Sequence, residues 1–414
     1  MAQETITLLQ NKRILLAVTG SIAAYKAVDL ASKLTQAGAA VDVIMTEAAE
    51  RFVTPLTFQA VTGRPVYNNL WQTDSSGGLP THIAHVGLAE GASLLVVAPA
   101  TANTMAKLAH GLADDLLSVT ALAARCPVVV APAMDGGMYD HPATQANLAL
   151  LRGQGAIIIE PETGRFASGL AGKGRLPETS TLIGHIRLAL AKTGTLAGKQ
   201  VVVTAGGTRE PLDPVRFITN RSSGKQGYAL AQAALDAGAA VTLITASDLP
   251  IPVGVNGIPV ASAGEMQQAV LEHITKADAL LMAAAVADFR PKDRADQKIK
   301  KKDDSDEAPV ITLARTPDIL MSVKEQRAAQ GIPRVVVGFA AESEHLLTHA
   351  RAKLERKGLD FLIANDITAA DAGFEVDTNR VVILGADGSQ TPLALATKTR
   401  IAEAIIELVA SALI

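Results

Sequence analysis

The stretch that most constrains the fold of this chain is residues 201–227, VVVTAGGTREPLDPVRFITNRSSGKQG. Three β-branched residues at its start predict a short buried strand, and the small residues TAGGT predict a loop. A polar insert and the sequence NRSSGK then lead into a helical pattern from Tyr228 to Ala237. A strand, a glycine loop and a helix start place backbone N–H groups and a helix dipole against an anion. The insert is too long for a plain dinucleotide turn, so the sequence predicts a specialised phosphate site.

The same order of elements occurs in the first half of the chain. An apolar strand at residues 14–18 is followed by TGS and by a helical pattern that ends at Gly38, and QAGAAVDVIMT there is similar to DAGAAVTLITA in the second half. Either all βαβ units share this pattern, or the two halves arose by duplication. Both interpretations predict two α/β domains with Rossmann-like parallel sheets. The segment TGTLAGK predicts the boundary, with domains at residues 1–192 and 193–414.

Composition narrows the class of protein. Hydrophobic residues make up 48% of the 414 residues but aromatic residues only 3%, so the core must be built from Ala, Val, Leu and Ile. The net charge of −3 favours neither nucleic-acid nor membrane binding, and no apolar run reaches the roughly 18 residues of a membrane span. Cys126 is the single cysteine, which excludes an internal disulfide. With no signal-peptide pattern at the N-terminus, we expect a cytoplasmic protein.

Ligands of open parallel sheets bind at the carboxyl ends of the strands. The predicted strands at residues 94–98, 127–131 and 279–287 end in PATANT, PAMD and Asp288. The glycine-rich RFASGLAGKGRL predicts a mobile flap, and the last helix is expected at residues 394–413. The charged segment 290–307 has two interpretations: a solvated, disordered loop, which its composition favours, or a lysine cluster for a triphosphate.

Nine motifs occur in a fixed order along the chain. The first half contains GSIAAYK, HVGL and APATANT, and the second half contains TAGGTREPLDPVR, ITNRSSGKQG, AAAVADFR, KIKKK, TPDIL and VVGFAAE. Together they resemble the bifunctional coenzyme A biosynthesis family, in which phosphopantothenoylcysteine decarboxylase is fused to phosphopantothenate–cysteine ligase. The resemblance covers essentially the whole chain. It implies a flavodoxin-like, FMN-binding N-terminal domain and a ribokinase- or Rossmann-like, CTP-binding C-terminal domain.

For the first domain the resemblance implies decarboxylation of 4′-phosphopantothenoyl-cysteine with FMN, although the glycine loop alone also fits a simple tight turn. His85 matches the family's catalytic histidine because it keeps the spacing to the APAT loop, and His82 is the alternative. The implied FMN contacts are Gly20, Ser21, Ala23, Thr46, Ala100, Thr101 and Asn103.

Two positions depart from the family pattern. The usual PAMN is PAMD here, so Asp135 stands where an amide binds the substrate carboxylate, and two carboxylates repel unless one is protonated or a cation intervenes. The usual ACG of the flap is ASG, so Ser168 replaces a thiol with a pKa of about 8.5. Three hypotheses follow: a working variant, which we favour, an enzyme that stalls at the enethiol, or a flavin-binding scaffold.

For the second domain the resemblance implies activation of 4′-phosphopantothenate by CTP and Mg²⁺ as an acyl-cytidylate, which the amine of L-cysteine then attacks. Lys298 matches the catalytic lysine, Asn220 the asparagine that acts on the acyl-cytidylate, and Asp288 a nucleotide and metal position. Lys300 to Lys302 belong to the same KIKKK run. The further implied CTP contacts are Met282, Ala283, Ala284, Pro317, Asp318, Ile319, Leu320, Phe339, Lys353 and Lys357.

Other functions are compatible with parts of the pattern. A flavin and nicotinamide reductase would need a G-x-G-x-x-G motif with a downstream ribose acid, and neither half has one. A ligase whose flavin domain is only an assembly or regulatory scaffold stays the alternative. The resemblance also implies a homo-oligomer, with trimers of the first domain and dimers of the second forming a dodecamer.

Overall fold

The computed structural model describes residues 5–71, 83–300, 310–342, 346–366 and 376–414. The chain divides into two compact units, Met1–Ala191 and Lys192–Ile414. In each unit, helices cover a central sheet whose strands are mainly parallel. His82, Lys301 and Lys302 lie outside the described residues.

The first unit combines a six-stranded parallel sheet with a separate hairpin and nine described helices. The strands are β1 (Arg13–Val18), β2 (Ala40–Met45), β3 (Val66–Tyr67), β4 (Leu94–Ala100), β5 (Val128–Pro132), β6 (Ile157–Ile158) and the hairpin strands β7 (Glu162–Arg165) and β8 (Ala171–Arg175). The helices are α1 (Ala24–Gln36), α2 (Glu47–Glu50), α3 (Pro55–Thr62), α4 (Ala84–Ala89), α5 (Ala102–His110), α6 (Leu116–Ala123), α7 (Gly136–Asp140), α8 (Pro142–Gly153) and α9 (Thr179–Ala191).

Small aliphatic residues fill both faces of this sheet. Alternate side chains of a strand point to opposite faces, and β1 shows this directly. Ile14, Leu16 and Val18 pack into one core cluster with α1 and α9, whereas Leu15 and Ala17 pack into a second cluster with α5 and α8. The sheet is therefore buried on both sides, as expected for parallel strands with helical crossovers.

The second unit has an eight-stranded sheet and two short hairpins. The strands are β9 (Gln200–Ala205), β10 (Arg209–Pro211), β11 (Phe217–Thr219), β12 (Ala240–Thr245), β13 (Asn256–Pro259), β14 (Ala279–Met282), β15 (Phe289–Pro291), β16 (Leu313–Arg315), β17 (Val335–Glu342), β18 (Phe361–Asp366), β19 (Thr378–Gly385) and β20 (Gln390–Thr397). The helices are α10 (Lys225–Asp236), α11 (Ala263–His273), α12 (Ile319–Gln330), α13 (Leu346–Lys357) and α14 (Lys398–Ala412).

Both sheets have the doubly wound order. The first reads β3-β2-β1-β4-β5-β6, and without its two-residue edge strand β3 this is the 2-1-3-4-5 order of flavodoxin-like folds. The parallel strands of the second read β13-β12-β9-β14-β17-β18, which is the Rossmann order 3-2-1-4-5-6, and β19 and β20 extend it antiparallel. The predicted fold class is confirmed.

The two similar segments, QAGAAV and DAGAAV, form the same turn in each unit. Gly38 and Gly238 have φ angles of +102° and +94° just after α1 and α10, a conformation that favours glycine. The next residue then donates its N–H back into the helix, from Ala39 to Leu34 and from Ala239 to Ala234. Each turn feeds the second strand of its sheet, so sequence similarity here reflects one local solution to a helix-to-strand connection.

Two predicted elements were wrong in extent. The alanine strand was expected to run to Ala287, but β14 ends at Met282 because the N–H groups of Ala284 and Ala287 donate to threonine hydroxyls of the glycine loop. The last helix was expected from residue 394, but β20 runs to Thr397 as an edge strand paired with β19. The helix starts only where the Thr397 hydroxyl accepts from the N–H of Arg400.

The two segments expected to be irregular contain strands. The glycine-rich flap forms the β7–β8 hairpin. The charged segment begins as β15, which pairs with β16, and residues 301–309 lie outside the described part of the chain. In the described residues, no helix combines the length and the apolar character needed to cross a membrane.

Candidate active sites

In the first unit, one buried hydroxyl joins the ends of two neighbouring strands. The Thr19 hydroxyl, directly after β1, donates to the carbonyl oxygen of Pro99 at 2.6 Å and accepts from the N–H of Thr101 at 3.1 Å. The Ser21 hydroxyl donates to the carbonyl oxygen of Ala133 at 3.3 Å, which ties the same loop to the end of β5. The carboxyl ends of β1, β4 and β5 therefore form one polar edge.

The predicted FMN residues around this edge differ in what they can offer a ligand. Helix α1 begins after Ala23, which has no side-chain oxygen to cap the helix. The N–H groups of Ala24 and Lys26 donate to the carbonyl oxygens of Ser21 and Ala23, and within the described residues the N–H of Tyr25 has no acceptor and stays open to an anion. Thr46 and Thr101 instead cap α2 and α5 with their hydroxyls. Ala100 is fully buried within β4, so the predicted contact through this residue is not supported by its surroundings.

Close packing explains the glycine at the start of this loop. A Cβ on Gly20 would lie 2.4 Å from the Cβ of Ala48 on α2, so no side chain fits there. Asn103 lies exposed on the first turn of α5. Gly20 thus brings α2 against the loop, and Asn103 faces solvent near the polar edge.

The two departures from the family pattern contact each other. Asp135 caps α7 by accepting from the N–H of Gly137 at 3.1 Å, and the Ser168 hydroxyl donates to its other carboxyl oxygen at 3.2 Å. The flap is also bonded to the turn through the N–H of Met134, which donates to the carbonyl oxygen of Gly174 at 3.0 Å. Asp135 and Ser168 are therefore one hydrogen-bonded pair between the turn and the flap.

A charged cluster anchors the flap. The Lys173 ammonium on β8 donates to Glu160 at 2.6 Å, Tyr139 donates to the same carboxylate at 3.0 Å, and Arg152 completes the set. The hydrogen bond from Lys173 lowers the pKa of the Glu160 carboxyl, and the attraction of Arg152 acts in the same direction. The cluster holds the hairpin beside the Asp135 turn.

The predicted catalytic histidine of the first unit lies apart from that pair in the hydrogen-bond network. His85 is half-buried on the first turn of α4. No hydrogen bond within the described residues joins it to Asp135 or Ser168. Its catalytic role stays a prediction.

In the second unit, a cavity of about 720 Å³ opens at the carboxyl ends of the strands. Segments far apart in sequence line it, including the start of α10, the loop after β14, the turn before α12 and the inner face of α13. Asn220 and every predicted CTP residue except Lys298 line this cavity: Met282, Ala283, Ala284, Asp288, Pro317, Asp318, Ile319, Leu320, Phe339, Lys353 and Lys357.

The start of α10 is open to this cavity. Its N-cap residue is Gly224, which has a φ of +82° and no side chain that could cap the helix. A Cβ there would lie 2.7 Å from the Cβ of Ser247. The N–H of Lys225 reaches the Ser223 hydroxyl at 3.5 Å, and the next two N–H groups, of Gln226 and Gly227, are uncapped at the cavity wall, the arrangement that binds phosphate.

Gly206 and Gly207 have a different role from the one their position suggested. A Cβ on Gly206 would lie 2.7 Å from the backbone nitrogen of Ser247, and one on Gly207 would lie 2.6 Å from the carbonyl oxygen of Asn220. They give room to neighbouring loops of the protein. The expectation that they make room for the nucleotide and acyl group is not supported by their surroundings.

Three lysines at the cavity are held in place by hydrogen bonds or ion pairs. Lys357 is buried and forms an ion pair with Asp318, the residue that caps α12. Lys353 donates to the carbonyl oxygen of Phe339 at 2.9 Å, and Lys225 pairs with Asp377 at 2.6 Å.

A further lysine sits on the cavity wall at the start of α14. Lys398 is 6% exposed, and burial lowers the pKa of its ammonium, with the charge of Lys225 adding to the effect. A buried ammonium of this kind gains from an incoming anion. The cavity thus suits a polyanionic ligand.

Asn220 is fixed by the segment that the alanine motif forms. Its side-chain amide donates to the carbonyl oxygens of Ala285 and Val286 at 3.3 and 3.1 Å. The N–H groups of Ala284 and Ala287 are in turn held by Thr204 and Thr208. The β9 loop therefore positions Asn220 at the rim of the cavity.

Lys298 is exposed and is not among the residues that line the cavity. The backbone of the next residue, Ile299, is bonded to the polar insert, through Asp213 at 3.1 Å and Arg216 at 2.6 Å. The structure therefore places the lysine beside the insert, outside the cavity wall.

Two protein-family models match this chain, one for each unit. Residues 3–190 match the family model described as Flavoprotein, and residues 196–413 match the DNA/pantothenate metabolism flavoprotein C-terminal domain. The coenzyme A biosynthesis bifunctional protein CoaBC of Bacillus subtilis is 46% identical over 408 residues, with 98% of each chain covered. The chain belongs to this bifunctional coenzyme A biosynthesis family.

Two other members of the family match to a similar extent. The protein of Mycobacterium tuberculosis is 47% identical with 96% of each chain covered, and that of Vibrio cholerae is 44% identical with 97% of this chain and 98% of its own covered. Membership confirms the predicted enzyme, with ligase and decarboxylase activities in coenzyme A biosynthesis. The alternative of a ligase with an inert flavin domain is not favoured.

Several residues that line the cavity of the second unit were not predicted from the sequence. Arg315, Asn379 and Lys398 had no signal strong enough, because none of them lies within one of the motifs. Asn365 had one, since it follows a predicted strand, and strand ends collect ligand contacts in this fold. Arg356 was also missed, whereas Ser222, Ser223, Gly224, Lys225, Gln226 and Ala340 line the cavity and lie in motifs that the sequence analysis had singled out.

Proposed function

We propose that the two activities divide between the two units, with the ligase in the second and the decarboxylase in the first. The observation that carries the proposal is the cavity of the second unit. It gathers Asn220, an open helix start and several cationic side chains from segments up to 178 positions apart, from Asn220 to Lys398. Such a cavity suits CTP and the phosphorylated substrate 4′-phosphopantothenate, both of which are anions.

Activation joins two anions, the carboxylate of 4′-phosphopantothenate and the α-phosphate of CTP. Concentrated positive charge is needed to stabilise the transition state. Lys353 and Lys357, on the inner face of α13, line the cavity wall. Lys298 is assigned to the reacting phosphate. The carboxylate oxygen attacks the α-phosphorus, the bond to the β-phosphate oxygen breaks, and pyrophosphate leaves with its electron pair.

Mg²⁺ would be held here mainly by the phosphate oxygens of CTP, with one or two protein carboxylates. No group of three or more histidine, cysteine or acidic side chains suited to a metal occurs in the described residues. Mg²⁺ usually takes one or two protein carboxylates and several phosphate or water oxygens. Asp288, exposed at the cavity rim, is the carboxylate that would hold it.

Asn220 is assigned to amide formation. Its donor group is engaged by Ala285 and Val286, so its orientation is fixed before any substrate arrives. An amide at this place orients the acyl-cytidylate without adding charge while the amine of L-cysteine attacks the carbonyl carbon and CMP leaves. A fixed donor or acceptor costs no reorganisation at the moment of reaction.

In the first unit, the uncapped start of α1 and the polar edge around Thr101 fit the phosphate and ring edge of FMN. FMN, when bound, supplies two-electron oxidation and reduction of the thiol-bearing substrate. Asp135 and Ser168 lie where the flap meets the turn and are assigned to the substrate carboxylate and to proton delivery. His85 is assigned to proton transfer from the substrate.

We further propose that the chain assembles as a homo-oligomer, with trimers of the first unit and dimers of the second giving a dodecamer. Its compartment is proposed to be the cytoplasm, because both reactions use phosphorylated metabolites that do not cross membranes unaided. The assembly is tested by the mass of the purified protein in solution, and a monomeric mass would contradict it.

Half-reaction assays test the assignments in the ligase unit. Asn220→Ala should abolish amide formation and leave release of pyrophosphate from CTP measurable. Lys298→Gln should depress pyrophosphate release itself by about 100-fold or more, since it removes charge stabilisation at the reacting phosphate. Loss of both half-reactions in Asn220→Ala, or unchanged pyrophosphate release in Lys298→Gln, would contradict the assigned roles.

FMN binding is tested independently of turnover. The purified protein should be yellow and should release FMN on denaturation in a 1:1 ratio to the chain, an expected outcome for a site that binds the phosphate at α1. A colourless protein that does not take up added FMN would contradict the flavin assignment.

A further inference from the structure

The polar insert between β10 and β11 is bonded to the segment that carries Lys298. The N–H of Ala295 donates to the carbonyl oxygen of Leu212 at 3.0 Å. The N–H of Ile299 donates to Asp213, and Arg216 donates to the carbonyl oxygen of Ile299. Three hydrogen bonds therefore join the insert to one short stretch of backbone about 80 positions later in the chain.

Asp213 is the centre of this network. Its side chain is fully buried and accepts from the N–H groups of Val215, Arg216 and Ile299 at 2.8, 2.8 and 3.1 Å. The guanidinium of Arg216 adds two more donors, at 3.0 and 2.6 Å. Burial alone would raise the pKa of the Asp213 carboxyl, but these donors outweigh it and hold the pKa well below its usual range.

The network forms hydrogen bonds to the Lys298 segment only through backbone atoms of that segment. Asp213 takes the N–H of Ile299 and Arg216 takes its carbonyl oxygen, so both polar atoms of that residue are fixed. Lys298 itself is exposed and forms no ion pair within the described part of the chain. Its ammonium therefore stays available for an anionic ligand while the backbone beside it is held.

We propose that Asp213, together with Arg216, is a positioning residue for the ligase: it holds the backbone at Ile299 so that the exposed side chain of Lys298, which is not part of the cavity wall, extends to the reacting phosphate of CTP. This inference rests on the proposed ligase function. On this proposal, the role of the long insert is to position a catalytic side chain rather than to contact the nucleotide. A misplacement of about 1 Å at a reacting group can cost about 100-fold in rate. Hydrogen bonds that fix the backbone at Ile299 would therefore affect the rate directly.

A purely local role for Asp213 is the competing explanation. Its bonds to Val215 and Arg216 shape the turn of the insert, and that turn would be stabilised whether or not Lys298 does chemistry. The two explanations differ in one respect. A local role predicts that the effects of changing Asp213 and Lys298 multiply independently, whereas positioning predicts that the first change loses its effect once the lysine is absent.

The test is a double-mutant cycle on the full chain. Pyrophosphate release from CTP is measured in a single turnover with 4′-phosphopantothenate and without cysteine, and CTP affinity is measured by calorimetry. Asp213→Asn should slow release by about 10- to 100-fold, with the Kd of CTP changed by about twofold or less. In a Lys298→Gln background, adding Asp213→Asn should change the rate by about twofold or less.

Two further variants keep the result interpretable. Asp248→Asn is the matched control, because Asp248 pairs with Arg209 at the same hairpin, is 89% exposed and does not contact Ile299; it should leave the rate unchanged. Asp213→Glu keeps the charge if Asp213→Asn does not fold, and its longer side chain should still slow release with CTP affinity intact.

Several outcomes would overturn the assignment. Asp213→Asn and Asp213→Glu with the rate of the unaltered protein would do so, as would effects that multiply fully in the double variant. If Lys298→Gln alone has no effect, the lysine that Asp213 is held to position is the wrong one. If the unaltered protein releases no pyrophosphate, the proposed ligase function falls first, and the assignment falls with it.

Discussion

At the scale of single residues, the two departures from the family pattern are best understood as one feature. Asp135 and Ser168 stand where an amide and a thiol are usual, and the serine hydroxyl donates directly to the aspartate carboxyl. Each residue thus provides a partner for the other. The donors from Gly137 and Ser168 fix the orientation of the Asp135 carboxyl between the α7 start and the flap.

Restoring the thiol tests the serine. Ser168→Cys should increase CO₂ release from 4′-phosphopantothenoyl-cysteine by about tenfold or more, because a thiol is a much stronger acid than a hydroxyl and general acids contribute about 10²–10⁴-fold. Ser168→Ala is the control and should be slower than the unaltered protein. If the cysteine variant is no faster, Ser168 is not at the proton-delivery step.

Replacing the carboxyl by an amide tests Asp135. Asp135→Asn keeps one oxygen for the Gly137 N–H and turns the other contact into an NH₂ that can donate to the Ser168 hydroxyl, but it removes a negative charge facing the substrate carboxylate. The KM for 4′-phosphopantothenoyl-cysteine should fall by about tenfold, with the α7 cap intact. An unchanged KM across a range of salt concentrations would show that Asp135 does not face that carboxylate.

At the scale of elements, the first helix of each doubly wound half starts without a side-chain cap. Ala23 precedes α1 and Gly224 precedes α10, whereas Thr46, Thr101 and Asp318 cap other helices at the same sheet edges. Each start leaves N–H groups without a cap, that of Tyr25 in α1 and those of Gln226 and Gly227 in α10, and groups of this kind can bind an anion. The glycine at α10 is required by its left-handed backbone and by Ser247.

A substitution at that glycine should affect both stability and binding. Gly224→Ala should lower the free energy of unfolding of the second unit by about 1–2 kcal/mol from backbone strain, and more because its Cβ meets Ser247 at 2.7 Å. Urea unfolding measures this. Gly388→Ala is the control, since Gly388 has a φ of +87° and nothing within 4 Å of its Cβ. Only Gly224→Ala should also weaken CTP binding, and equal CTP affinity in both variants would contradict the helix-start site.

The flap anchor should respond to acid. The pKa of Glu160 is lowered in the folded protein, first by the hydrogen bond from Lys173, so the anchor is complete above the ordinary carboxyl pKa of about 4.5 and is lost as the pH falls through the lower, folded value. Proteolysis of the β7–β8 hairpin should therefore increase below about pH 4.5. Glu160→Gln should be cleaved equally at pH 6 and pH 4, and a pH response retained in that variant would place the titrating group elsewhere.

At the scale of the whole molecule, the sequence predicted what local periodicity and turn chemistry control. The strand, glycine loop and helix order located both doubly wound sheets, and Gly38 and Gly238 marked the same turn in each. Motifs then located much of the second-unit cavity, although Arg315, Asn379 and Lys398 lie outside them. Contacts between residues far apart in the sequence have no such local signal. The end of β14 depends on Thr204 and Thr208, about 80 positions earlier. The hydrogen-bond network at Asp213 depends in the same way on Ile299.

Edge pairing explains the other miss. The sequence LALAT in β20 is apolar enough for a helix, and only its pairing with β19 makes it a strand. In the same way, the exposure of Lys298 and the burial of Ala100 could not be inferred from motif matches. Motif position indicates which residues belong to a site, and tertiary packing decides which of them can touch a ligand.

One reaction mixture tests the central claim, that this single chain carries both activities. The purified protein is incubated with 4′-phosphopantothenate, L-cysteine labelled with ¹³C in its carboxyl group, CTP and Mg²⁺. The account predicts CMP, pyrophosphate, 4′-phosphopantetheine and labelled CO₂ in equal amounts. Accumulation of 4′-phosphopantothenoyl-cysteine with CMP and pyrophosphate but without labelled CO₂ would contradict it, because the first unit would then not decarboxylate.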